Sequence, residues 1–177
     1  MRRLVIYLLV LLIILTHLII LNCQAFMPHD TIVETQPLEP YYDVTAEERY
    51  LLAKLVHSEA SIFSHECKVA VASVVFNRLD SGKWKKDMNS DSKITLYDII
   101  YYPNAFTPAM TGAIDNWEPT AEDYEAVDYV LMYGSVLPTE VRYFRTDYDF
   151  NWENYKNYII IDNVYFGYFE NWKQGEW

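Results

Sequence analysis

Residues 69–76 read Val-Ala-Val-Ala-Ser-Val-Val-Phe, which is apolar on nearly every side of a helix. Such a helix has no face to offer water, so other elements must wrap around it. The pattern predicts a central buried helix that follows Ser64 and runs to about Leu79, ended by Ser81-Gly82. Ahead of it, Thr45-Ala46-Glu47-Glu48 is a capping box, opening a helix from Thr45 to about His57. Thr95 to Tyr102 predicts a short helix, with Asp98 completing a weaker box and Pro103 stopping it. Thr120 to about Tyr133 predicts another, with an acidic first turn and Gly134 closing it. After Gly134 the period changes. Residues 141–144, 158–161 and 164–166 are short runs of β-branched and aromatic residues, which read as strands. Helices first and strands last predict an α+β fold.

The ends of the chain read differently. Met1-Arg2-Arg3 precedes residues 4–21, a run of 18 without a charge. That is long for a signal-peptide core and just long enough to span a bilayer. Residues 1–25 are therefore expected to be a signal peptide or a membrane anchor, with the remainder exported. Residues 26–44 carry Pro28, Pro37 and Pro40 without periodicity and read as a linker. The folded catalytic domain is expected over 45–177. Setting Arg2 and Arg3 aside leaves 12 of the 14 basic side chains against all 25 acidic ones, a net charge of −13. That excludes nucleic acid as a partner, since phosphate binding rests on Lys and Arg. Cys23 and Cys67 are too differently placed to form a bridge, and neither spacing suggests zinc.

Glu59 stands out chemically. Leu52 and Leu55 lie seven and four residues before it, so the carboxyl shares the stripe that faces the core. A core-facing carboxyl at a helix C-terminus is disfavoured as an anion by desolvation and by the dipole. A raised pKa suits a general acid near neutral pH. The alternatives are a solvated Glu in a frayed last turn and a Glu paired with a cation.

The stretch from His57-Ser58-Glu59-Ala60 through Val69-Ala70-Val71-Ala72-Ser73-Val74-Val75-Phe76-Asn77-Arg78 resembles the signature of the SleB/CwlJ-type cell wall hydrolases, the spore cortex-lytic family. Tyr102-Pro103-Asn104-Ala105-Phe106-Thr107 is similar to a second block of that family, and Val141-Arg142-Tyr143-Phe144 to a third. The likeness covers about residues 45–168. It implies a small helical, lysozyme-like catalytic domain followed by a short antiparallel β-sheet. It implies cleavage of peptidoglycan glycan strands by a lytic transglycosylase, with Glu59 as the single catalytic acid and no cofactor or metal. A hydrolase normally needs a second carboxylate; a lytic transglycosylase uses the muramic acid's own C6 hydroxyl. Lys68, Phe106, Thr107 and Tyr143 are the implied substrate contacts. The family's Gly before the glutamate is Ser58 here, its Gln is Lys68, its strand His is Arg145, and its late Gly and His are Asp162 and Val164.

Other readings stay open. An N-acetylmuramoyl-L-alanine amidase would need a zinc cluster, which no motif supplies. A non-catalytic envelope-binding protein fits the missing Gly and His. Arg78 reads either as a partner of Glu59 or as a C-terminal helix cation, and His57 and His65 either as proton-transfer aids or as capping residues. Residues 141–177 hold 13 aromatics, among which Tyr143, Trp152 and Tyr155 are candidates for stacking on sugars. Asp87, Asn89 and Asp91 echo a calcium loop without its Gly.

Overall fold

In the computed structural model the described residues are 39–81, 93–146 and 155–169. Helix α1 spans Ala46–Ala60 and α2 spans His65–Asp80. Short helices follow at Leu96–Ile100 (α3) and Thr107–Thr111 (α4), then a 3₁₀ turn at Ala113–Asn116 and helix α5 at Ala121–Tyr133. Strands β1 (Tyr143–Arg145), β2 (Tyr155–Ile161) and β3 (Val164–Phe169) form an antiparallel sheet of order β1-β3-β2. The α+β order expected from sequence is the one observed.

The apolar helix takes the centre. From Cys67 to Arg78 every residue of α2 is buried, and α1, α3, α5 and β1 all pack on it. Local chemistry sets where helices begin. Thr45, Thr95 and Thr120 each accept from the backbone N–H three residues on, while Glu48, Asp98 and Asp123 return the bond, so all three capping boxes close. Ser64 accepts from the Cys67 N–H at the start of α2.

Some boundaries differ from the sequence reading. Helix α1 continues to Ala60, beyond His57, and carries Glu59 inside its last turn. Residues 107–116, for which no helix is expected, form α4 and the 3₁₀ turn. Pro at the start of α4 suits an N-terminal turn, and Gly112 in the left-handed region (φ 74°) separates the two. Strand β2 begins at Tyr155, earlier than expected, because a register shift between Asn157 and Ile159 hides its period. The last residues of the 26–44 linker belong to the fold. Tyr42 stacks on Phe76 with ring centroids 3.9 Å apart, donates its N–H to Leu131 O at 3.0 Å, and gives its hydroxyl to Asp80. Two neighbouring aromatics and a valine, Tyr41, Tyr42 and Val44, outweigh the polar character that marks 26–44 as linker. The segments 4–21 and 83–92, with the expected anchor and the Asp87/Asn89/Asp91 loop, lie outside the described residues, as does Trp152.

Candidate active site

Leu52, Leu55 and Val56 are fully buried, so the stripe of α1 that carries Glu59 turns inward. The side chain opens onto a cleft of about 180 Å³. Phe63 from the α1–α2 turn, Val71 of α2, Phe144 of β1 and Val164 of β3 supply apolar walls, and Arg145 and Thr146 form the polar edge. Among these described lining residues Glu59 is the single carboxylate. Burial pushes it up to about 7, and the positive charge of Arg78 opposes that rise. A carboxyl at about 7 holds a proton often enough, and releases it easily enough, to work as acid and then as base at neutral pH.

The β2–β3 hairpin brings Val164 to the cleft. Its turn residues Asp162 and Asn163 both adopt left-handed φ (51° and 63°), the geometry of a two-residue type I′ turn. From there Asp162 accepts the Ser64 N–H at 2.7 Å, which fastens the hairpin tip to the start of α2. That bond holds the Asp162 carboxyl below its ordinary range.

Arg78 lies behind the cleft rather than at the surface. It is 4 % exposed. Its Nε donates to Arg142 O at 2.8 Å and its Nη1 to Ala105 O at 3.1 Å, and its guanidinium carbon lies 4.4 Å from the Phe106 ring centroid. Burial lowers the guanidinium to about 10, against the pull of Tyr143 and Glu59. The structure thus corrects the picture of a solvated C-terminal helix cation. Arg78 ties the segment before α4 to β1 and projects charge toward Glu59. Neighbouring Asn77 donates to Pro138 O (2.8 Å) and Val141 O (2.9 Å), fixing the approach to β1.

Of the other expected site residues, none lines the cleft with Glu59 among the described residues. Lys68 is 1 % exposed, and its Nζ reaches Glu122 at 2.5 Å and Asp123 at 3.1 Å. It is an internal cation joining α2 to the start of α5. Phe106 is buried under Arg78 and faces Phe144, 6.3 Å away between centroids. Thr107 is exposed at the first position of α4. Tyr143 is buried, 5.5 Å from Arg78 and edge-on to Phe169. Tyr155 covers Gly167, where any Cβ would strike its ring and the Lys156 carbonyl oxygen, and donates to Tyr165 O at 3.0 Å. His57 turns away from Glu59, and its Nδ1 meets Asp123 Oδ2 at 2.8 Å.

Residues absent from the site expected from sequence line the cleft, Phe63 and Val164 as walls and Thr146 at the polar edge, while away from it Asp123 is a fully buried hub under Lys68 and His57. Asp123 was legible only as part of an acidic first turn. The walls come from a turn and two strands, and no periodicity marks them.

Residues 64–167 match the family model described as cell wall hydrolase. Glu59 lies just ahead of that stretch. None of the curated proteins compared matches the chain. Two solved structures share the fold. The catalytic domain of the Bacillus cereus SleB protein aligns with a TM-score of 0.58 and 20 % identity, over 76 % of this chain and 98 % of that one. The catalytic domain of the germination-specific lytic transglycosylase SleB from Bacillus anthracis aligns with a TM-score of 0.55 and 20 % identity, over 70 % and 96 %. With its central helix inside the matched residues, which make up more than half of the chain, the chain belongs to the cell wall hydrolase family.

Proposed function

We propose that this protein is a peptidoglycan lytic transglycosylase of the cortex-lytic type, cleaving between N-acetylmuramic acid and N-acetylglucosamine with Glu59 as its single catalytic carboxyl. The observation that carries this reading is Glu59, the one carboxyl among the described residues lining a cleft with apolar walls and a polar edge, raised by burial to about 7. The protonated Glu59 gives its proton to the glycosidic oxygen as the C1–O bond breaks and positive charge develops on the sugar. The resulting carboxylate then takes the proton of the muramic C6 hydroxyl as O6 bonds to C1. The products are a 1,6-anhydro end and a free 4-hydroxyl, with no water consumed. One carboxyl returns to its starting state, so no second is required.

Glu59→Gln keeps the shape and loses the proton. Turnover of purified peptidoglycan should fall at least 10²- to 10⁴-fold, roughly the worth of general acid catalysis. Mass spectrometry of the muropeptides should show anhydro ends from the unaltered protein. Reducing ends would indicate a hydrolase, free stem peptides an amidase, and unchanged peptidoglycan the envelope-binding protein. We further propose that residues 4–21 anchor the protein in the membrane with the domain facing the wall. Retention in the pellet after alkaline carbonate extraction is expected, and a soluble form beginning after Ala25 would show a cleaved signal instead.

A further inference from the structure

Tyr50, Lys54 and His57 are spaced i, i+4 and i+7 and share one face of α1. His57 is two residues from Glu59, about 200° around the helix, so this face points away from the cleft. The 3₁₀ turn and the residues after it lie against it. Trp117 is 49 % exposed and its indole lies 5.6 Å from the His57 ring. Glu118 accepts from the Tyr50 hydroxyl at 2.9 Å, and Asp115 takes Lys54 Nζ at 3.4 Å.

We propose that Trp117, His57, Tyr50 and Glu118 form a second binding surface for an uncharged N-acetylhexosamine unit, separate from the Glu59 cleft. The inference rests on the glycan-strand reading above. An exposed indole offers a flat apolar face to the C–H side of a pyranose ring. Acceptors surround it. Glu118 has carboxylate oxygens for sugar hydroxyls. The Asp123 carboxylate accepts from Nδ1–H of His57, which fixes the ring and leaves Nε2 on its opposite edge. Asp123 is itself fully buried and held by Lys68 and Thr120, so the imidazole is pre-set and little ordering is needed on binding. Charge selects the ligand class. Among the described residues the Lys or Arg side chain on this face is Lys54, which is already paired with Asp115, and the chain carries a net −11. An anion would be repelled by the carboxylates of Asp115 and Glu118, whereas neutral hydroxyls and acetamido N–H groups find acceptors in them. A surface for the neutral sugar, on the same helix as the catalytic acid, would hold a further part of a long strand while Glu59 acts elsewhere on it.

The test uses the full chain in a zwitterionic detergent, with tryptophan selectively labelled with ¹⁵N. The five indole signals are followed during titration with tetra-N-acetylchitotetraose, and Trp117→Phe assigns the relevant one. The Trp117 signal should shift and saturate. Trp117→Ala should weaken binding at least about tenfold, as removal of an aromatic anchor does, while melting within a few degrees of the unaltered chain. Trp117→Phe should fall between. On intact peptidoglycan Trp117→Ala should raise KM more than it lowers kcat. An unmoved Trp117 signal, or unchanged affinity in Trp117→Ala, would overturn the proposal. So would a change in sedimentation on that substitution, which would mark the patch as a contact between copies. The titration needs no turnover, so it stands even if the chain proves inactive, and an active enzyme without the shift refutes only the second surface.

Discussion

At Glu59 two opposing effects meet, and their balance decides what the residue can do. Burial favours the neutral acid and Arg78 favours the anion; burial is the larger, leaving the group at about 7. The acid form starts the reaction, so kcat/KM should decline on the alkaline side with a midpoint near 7. Arg78→Gln removes the cation that lowers Glu59, so the midpoint should move to higher pH. It should also destabilise the fold by about 1–3 kcal/mol, because a carbonyl of Arg142 or Ala105 is left without its donor. A pH–rate profile and a thermal melt separate the two effects. An alkaline limb that stays put or moves down would mean that Arg78 does not act on Glu59. Sequence showed Glu59 on an inward stripe, and left Arg78 between two roles because a helix end looks alike from sequence whether solvent or a strand lies beyond it.

Elements bring the walls of the cleft to Glu59. The hairpin of β2 and β3 is held at its tip by one charge-assisted bond, Asp162 to the Ser64 N–H. That bond ties the hairpin tip to the end of the turn bearing Phe63, and Phe63 and Val164 both line the cleft. Asp162→Ala should lower the melting temperature and reduce activity, since the Cβ-only residue loses the acceptor and is strained at positive φ. Asp162→Asn should recover much of both, because Asn tolerates the left-handed region and its Oδ1 still accepts. If Asp162→Ala melts and turns over like the unaltered chain, the hairpin tip is not what shapes the cleft. The family resemblance flags this position only as a missing Gly. The structure gives it a job: an acidic side chain in a left-handed turn replaces backbone freedom with a cap on α2.

Across the whole molecule, a buried polar cluster joins the three main helices. Lys68 of α2, His57 of α1 and Asp123 of α5 meet where all three converge. Lys68→Ala would strand Asp123 inside the protein with one partner fewer. A loss of about 3–5 kcal/mol is expected, the usual consequence of breaking a buried ion pair from one side. The folded fraction should keep its KM for peptidoglycan. Chemical denaturation and kinetics corrected for folded protein measure both, and a raised KM with normal stability would restore Lys68 to the substrate.

The sequence by itself determined the α+β order, the central helix, the capping boxes at Thr45 and Thr95 and Glu59 on the inward stripe. Each is a local signal: a period, a cap, or a few residues in one turn. Tertiary structure alone decided the rest. Whether Lys68 meets substrate or carboxylates depends on α5, 54 positions away in the chain. Whether Arg78 is solvated depends on Arg142 and Ala105 arriving over it. Tyr143 and Tyr155 carry the same rings whether they face a sugar or a glycine, and only the register of β3 places Gly167 beneath one and Phe169 beside both. Side-chain chemistry is written residue by residue. Burial belongs to the assembled chain, and at Glu59 burial is what turns an ordinary carboxyl into an acid for neutral pH.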